Sequence, residues 1–199
     1  MVTLDADALT PRELNEKLRE LMARGEEVVV ENPRSRHNLG VALPGPGHVT
    51  FKGSVGYYCG GLSNGGSVEI AGNAGWGIGE SMAKGFIRVR GSVGQSIGAS
   101  LRGGTIVVEG DAGPRAGVAQ KGGVVVVGGS IGFLSGFMAQ RGKLIALGDA
   151  EDGVGDSLYE GNIYVAGHVH GLGIDAVIAM PNARRSTTSS PSSPKSASH

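Results

Sequence analysis

Gly72-Asn73-Ala74-Gly75-Trp76-Gly77-Ile78-Gly79-Glu80-Ser81-Met82-Ala83-Lys84-Gly85-Phe86-Ile87-Arg88-Val89-Arg90 is one of six consecutive copies of a 19-residue unit running from Gly53 to Ala166. Glycine opens each copy, at Gly53, Gly72, Gly91, Gly110, Gly129 and Gly148, and Gly167 begins a seventh. Position 14 is also glycine throughout: Gly66, Gly85, Gly104, Gly123, Gly142 and Gly161. So is position 8, from Gly60 to Gly155, while position 4 is glycine until Glu151. No insertion breaks the series. A fixed period near 20 residues marks a solenoid, in which each repeat buries its apolar side only against its neighbours.

The columns of the repeat give the direction of the side chains. Position 16 is Val68, Ile87, Ile106, Val125, Leu144 and Ile163; position 18 is Ile70, Val89, Val108, Val127, Ala146 and Val165. Two residues apart, they share one face of a strand. Position 3 is always small and apolar, from Val55 to Ala150, and position 7 mostly so, with Cys59, Ile78 and Ile97. Each copy reads as one coil, with a strand over positions 15 to 19 and then corners where glycine allows positive φ or close approach. The expected fold is all-β: a right-handed parallel β-helix with coils about 4.8 Å apart around an aliphatic interior.

Composition fits. Of 37 glycines, 30 lie in residues 53–166. The absence of a three-residue period excludes collagen, and the aliphatic columns exclude low-complexity disorder. A formal net charge of zero gives no argument for a nucleic-acid or acidic partner. No apolar run suffices for a membrane span. The start, MVTLDADALT, carries acids and lacks the apolar centre of a signal peptide. The one cysteine excludes an internal disulfide and fits a reducing compartment, so a cytoplasmic location is expected.

Residues 1–33 are expected to form an N-terminal cap of helix and strand. Thr10 is the N-cap, Pro11 the first helical residue and Glu13 the capping-box partner. Leu14, Leu18, Leu21 and Met22 recur at helical spacing up to Gly25. The helix should pack on one end or flank of the solenoid, because open coils expose unpaired strand edges. Val28 to Val30 is a short strand. The β-helix spans 34–180, with regular coils at 53–166. Residues 32–47 are a loop or a degenerate first coil, 48–52 the first and poorest of seven strand rows, and 175–180 a closing strand. Residues 181–199, almost all Ser, Thr and Pro after Arg184-Arg185, read as a disordered tail.

Candidate chemical groups are few. Gly171-Leu172-Gly173-Ile174-Asp175-Ala176 fits the dinucleotide fingerprint by letter but has no following helix to receive a pyrophosphate. His168 and His170 could share a metal but want a third ligand. Asp149, Glu151, Asp152 and Asp156 form an acidic corner whose spacing is that of a solvated turn rather than a calcium loop. Cys59 sits at an inward position as a buried thiol. No catalytic, cofactor-binding or metal site is therefore expected on this chain.

The chain does offer surface. Position 17 faces outward and begins polar, with Glu69 and Arg88, then turns apolar with Val107, Val126, Ile145 and Tyr164. Phe86, Val124 and Leu147, at positions 15 and 19, extend that face. A contiguous apolar face of several hundred Å² calls for cover by the helix or by a partner, and a partner is favoured here. Beside it, Lys84, Arg102, Lys121 and Arg141 form a basic row, read first as solubilising charge on a flat β surface and second as a ledge for an anionic partner.

The pattern G-x-x-G-x-x-x-G, with strings such as Gly72 to Met82, Gly136 to Gln140 and Gly155 to Gly161, resembles the GXGXG family. Glu31-Asn32-Pro33 and Arg36-His37-Asn38 resemble its free-standing members. The family includes the C-terminal domain of glutamate synthase large subunits, the C subunit of formylmethanofuran dehydrogenase, and the B subunit of N-methylglutamate synthase. The resemblance covers residues 4 to 178 and sits nearest the last group. It implies a right-handed β-helix without an active site of its own, a scaffold subunit of a glutamate-synthase-like complex. The partners it implies are a glutamine-amidotransferase-like subunit and an FMN-dependent synthase subunit, with FMN and an iron–sulphur cluster on the latter. The alternatives are a formylmethanofuran dehydrogenase C-type subunit and a self-contained β-helix acyltransferase. Against the second, hexapeptide-repeat coils have 18 residues, and no histidine occurs between Phe51 and Gly167 here.

Overall fold

The computed structural model describes residues 1–179; the tail expected at 181–199 lies outside the described residues. The strands are β1 (Val2–Asp5), β2 (Glu27–Glu31), β3 (His48–Phe51), β4 (Asn64–Ile70), β5 (Lys84–Val89), β6 (Thr105–Val108), β7 (Lys121–Val127), β8 (Arg141–Ala146) and β9 (Asn162–Val165). They form one sheet in chain order, and every neighbouring pair is parallel. A second ladder of single bridges joins Val55, Ala74, Val93, Ala112, Ile131, Ala150 and Val169, the position-3 column. The chain is a parallel β-solenoid that returns to the main sheet once per coil.

The sheet corrects the expected count of seven rows. It has nine strands, because β1 and β2 extend it, and β3 is paired on both sides rather than poorly formed. Parallel pairing uses only the backbone, and the four residues of β1 are too few to carry a recognisable pattern. Residues 33–52 form a coil rather than a loop: Asn38 N donates to Tyr57 O, Ala42 N to Gly61 O, and Gly56 N to Arg36 O.

The interior is made by the inward columns. Ile87, Val89, Ile106, Val108, Val125 and Val127 are buried in one cluster with Val55, Ile78, Ile97 and Leu101. Removing each such side chain from water contributes about 1.5–3 kcal/mol. Glycine serves two purposes. At position 8 it takes positive φ, as at Gly79 (φ 67°) and Gly98 (φ 63°). At position 1 it makes room: a Cβ on Gly110 would lie 2.5 Å from Ser92 Oγ, and one on Gly148 2.6 Å from Ser130 Oγ.

Those two serines belong to a polar ladder at position 2. Ser54 Oγ accepts Asn73 N, Asn73 Oδ1 accepts Ser92 N, and Ser92 Oγ accepts Asp111 N. Asp111, Ser130 and Asp149 continue it to His168 N, each accepting one backbone N–H from the next coil. The ladder pairs amides that the glycine corners would leave open.

α1 (Pro11–Ala23) starts at the expected capping box, with Thr10 Oγ1 accepting Glu13 N at 3.3 Å and Thr10 N donating to Glu13 Oε2 at 2.8 Å. Lying between β1 and β2, it occupies the first turn of the solenoid. Leu14, Leu18 and Met22 are buried in the same cluster as Leu39, Leu43 and Phe51. Asn15 fixes the helix to the next coil, donating to Asn38 O and accepting from Gly40 N, both at 2.7 Å. The helix thus closes the N-terminal end. At the other end the expected closing strand at 175–180 is absent from the described residues 175–179. Val177 and Ile178 stand exposed, because nothing in that stretch turns back to pair with β9.

Candidate docking surface

The outward side chains of the main sheet lie in straight rows, because its strands pair in parallel with little slippage. In the position-17 row Glu69 pairs with Arg88, Arg88 with Val107, Val107 with Val126, Val126 with Ile145, and Ile145 with Tyr164. Val107, Val126, Ile145 and Tyr164 are therefore nearest neighbours in one apolar stripe across four strands, and Tyr164 is 48% exposed. Val124 flanks Val126 on the position-15 side, and Leu147, 58% exposed, follows Ile145 on the other.

Phe86 does not join the stripe directly. The position-15 row runs Phe86, Thr105, Val124, Lys143, Asn162, so Thr105 separates Phe86 from Val124. The apolar face is one rung wide with flanks, narrower than a face on which Phe86 and Val124 meet. α1 does not cover it. The helix buries its stripe in the solenoid core and packs on β2 and β3, which leaves the outer face of β6 to β9 clear of it.

An ionic lattice bounds the stripe on its N-terminal side. The Arg88 side chain donates to Glu109 Oε1, and Arg90 donates to both Glu69 Oε1 and Glu109 Oε1. The hydrogen bond from Arg88 holds the Glu109 carboxyl below its usual range, and the bond to Glu69 raises Arg90. On the position-13 side stand Lys84, Arg102, Lys121 and Arg141, all exposed. Arg141 meets Glu160 at 3.1 Å, while Lys84, Arg102 and Lys121 make no ion pair among the described residues.

The other candidates fall into structural places. Three of the four carboxylates of the acidic corner serve the coil backbone: Asp149 accepts His168 N, Glu151 accepts Phe133 N, and Asp156 accepts Ile174 N. His168 and His170 meet edge to face, with ring centroids 4.9 Å apart. No cluster of three or more His, Cys, Asp or Glu suited to a metal occurs among the described residues. Burial pushes the Cys59 thiol up to about 12, which keeps it protonated. The expected turn glycines divide. Those at position 1 precede the short position-3 bridges, and Gly72, Gly91 and Gly129 do not take positive φ. Gly66, Gly85, Gly123 and Gly142 at position 14 are not corners but lie inside β4, β5, β7 and β8 at positive φ, because these strands start at position 12 or 13.

Two features escaped the sequence columns. His37, Tyr57 and Trp76 stack at position 5 of successive coils, with centroids 4.2 and 4.9 Å apart. Positions 6 and 10 are left-handed in every coil, as at Tyr58, Leu62, Ser96, Ser100, Arg115 and Ala119. The signal for the second was present: neither column holds a Val, Ile or Thr.

No helix of the described residues is long and apolar enough to cross a membrane. No protein-family model matches the chain. The chain is similar to Protein GlxC of Rhizobium meliloti (strain 1021), with 44% identity over 63 residues. That stretch is 30% of this chain and spans only 28% of the relative's length.

Proposed function

We propose that this chain is a scaffold subunit of a multi-subunit glutamate-synthase-like enzyme. The nearest form is N-methylglutamate synthase, which converts methylamine and glutamate to N-methylglutamate and ammonia. The observation that carries this is the stripe Val107–Val126–Ile145–Tyr164, a continuous apolar row, half-buried at its first three residues and exposed at Tyr164, on the outer face of a sheet that the protein's own helix leaves uncovered. Such a face is unusual on a protein that works alone. The reaction class comes from the resemblance of the 19-residue glycine repeat to the GXGXG family, a likeness of fold rather than of site.

In this role the solenoid acts as a ruler. Strands set about 4.8 Å apart offer a docking row whose spacing is fixed by backbone hydrogen bonds. An amidotransferase-like chain and an FMN-bearing synthase chain would be held at a constant separation on it. FMN and the iron–sulphur cluster belong to the synthase chain, which supplies the redox chemistry; this chain holds its partners in place.

The test is mild affinity purification from the source organism, with mass spectrometry and an absorbance scan for flavin. Co-purification of an amidotransferase-like chain and a flavin-bearing chain is the expected result. Recovery with a molybdenum or tungsten pterin chain would point to the formylmethanofuran dehydrogenase form instead. Recovery alone, as a colourless homo-oligomer, would overturn the proposal.

A further inference from the structure

The net charge of zero conceals a local segregation. Along β5, Lys84, Phe86 and Arg88 alternate outward, and along β8 so do Arg141, Lys143 and Ile145. Lys121 pairs directly with Arg141 in the sheet. The apolar stripe therefore has a basic ridge beside β6 to β8, made by Arg102, Lys121, Arg141 and Lys143, all exposed; Lys84 continues it onto β5, and Glu160, paired with Arg141, ends it beside β9. Its opposite side is different. There Glu109 is consumed by Arg88 and Arg90, and Asp111 and Asp149 are engaged by Ser130 N and His168 N.

We infer that the occupant of this face is an amphipathic helix of a partner chain, lying along the solenoid axis, with its apolar side on Val107, Val126, Ile145 and Tyr164 and acidic side chains over the basic ridge. The inference rests on the scaffold reading above and names the chemistry of its partner. Charge decides the flank, since three of the ridge cations, Lys84, Arg102 and Lys121, have no counter-ion among the described residues. Shape decides the direction, since the stripe runs across the strands and not along one. Spacing decides the element. A helix repeats its face about every 5.4 Å, close to the strand step of about 4.8 Å, so successive turns drop between successive rungs. Four rungs span about 14 Å, roughly ten residues of helix.

The chain's own segments do not fit. α1 is committed to the N-terminal core, and residues 180–199 contain no Asp or Glu but do contain Arg184, Arg185 and Lys195, which the ridge repels.

The experiment places a photo-crosslinking amino acid at Val126 in one variant and at Lys121 in another, each in the full chain expressed in the source organism. Mass spectrometry then identifies the labelled peptides. The expected result is one segment of one partner chain labelled from both positions, apolar where it meets 126 and carrying two or more carboxylates where it meets 121. K121E/R141E should lower partner retention about tenfold, and raised salt should do the same to the unmodified chain. A labelled second copy of this chain, a labelled segment rich in Lys or Arg, no label from Val126, or retention indifferent to K121E/R141E would each overturn the inference. If the flavin-bearing chain co-purifies but the labelled segment lacks acids, only the inference fails; if nothing co-purifies, the scaffold reading fails with it.

Discussion

Asn73 Oδ1 accepts the backbone N–H of Ser92, 19 residues on, at 2.9 Å, and it does so in the space that a Cβ on Gly91 would fill. The polar residue at position 2 of one coil and the glycine at position 1 of the next are one device. Gly91→Ala should cost about 1–3 kcal/mol by overpacking. Asn73→Ala should cost about 1 kcal/mol by leaving the Ser92 amide without its partner. Together they should cost less than the sum by about 1 kcal/mol, because the new methyl takes the place of the removed amide oxygen. Urea denaturation of the four proteins measures this, and strict additivity would show that the two positions are not coupled.

The left-handed columns make a second prediction. Ala119 sits at φ 51°, a conformation that costs a residue with a Cβ about 1–2 kcal/mol relative to glycine. Ala119→Gly should stabilise the protein by about 0.5–1 kcal/mol after the extra freedom of the unfolded chain is subtracted. Ala119→Val should destabilise it, because β-branching disfavours positive φ further. Thermal melts that rank valine above alanine would contradict this account of the coil corners.

These two features explain what the sequence disclosed and what it withheld. The inward columns Ile87/Val89 and Ile106/Val108 were legible because a strand side chain has only two directions, and both columns stay aliphatic over six coils. β1 was not legible, since Val2–Asp5 is short and outside the repeat, and its pairing with β2 depends on α1 bringing the chain back. No strand forms over residues 175–179, although Val177 and Ile178 are apolar enough for one, because pairing requires a path back to β9 that composition does not encode. The outer stripe was legible as a column, and so was its width, since Phe86, Thr105 and Val124 stand 19 residues apart. The interruption of Phe86 and Val124 by Thr105 follows from the strand register, which sets Thr105 between them.

The capping box gives a pH dependence. Hydrogen bonds from the Thr10 backbone and hydroxyl hold the Glu13 carboxyl below its ordinary value. A carboxyl depressed in the folded state adds stability above its unfolded pKa, and that stability is lost as pH falls through the folded pKa. Acid should therefore weaken the N-terminal closure, and Glu13→Gln, which can still accept from Thr10 N, should flatten this part of the profile. Melting temperatures from pH 7 downward for both proteins check it; parallel profiles would remove Glu13 from the account.

Cys59 should be chemically silent in the folded protein. Desolvation inside the coil pushes its thiol up to about 12, so little thiolate exists at pH 8. Iodoacetamide should leave the native protein unmodified and alkylate it fully in urea. Rapid labelling of the native protein would mean that the coil opens around Gly60 on the time scale of the reaction.

The outer stripe separates folding from assembly. Val126 and Ile145 point away from the core, flanked in the interior by Val125, Val127, Leu144 and Ala146, which are all buried. A carboxylate at either outer position keeps its access to water and disturbs no inward contact, so Val126→Asp or Ile145→Asp should shift stability by no more than about 1 kcal/mol. At an occupied docking face the same carboxylate would be desolvated against an apolar partner surface, at a cost of several kcal/mol, enough to abolish retention. Circular dichroism melts and affinity purification on the same preparations give the two readings. Normal melting with loss of partners is the expected pair. A variant that melts normally and still retains a full set of partners would remove the stripe from the docking interface, because no tight apolar contact could accept a buried unpaired charge at its centre.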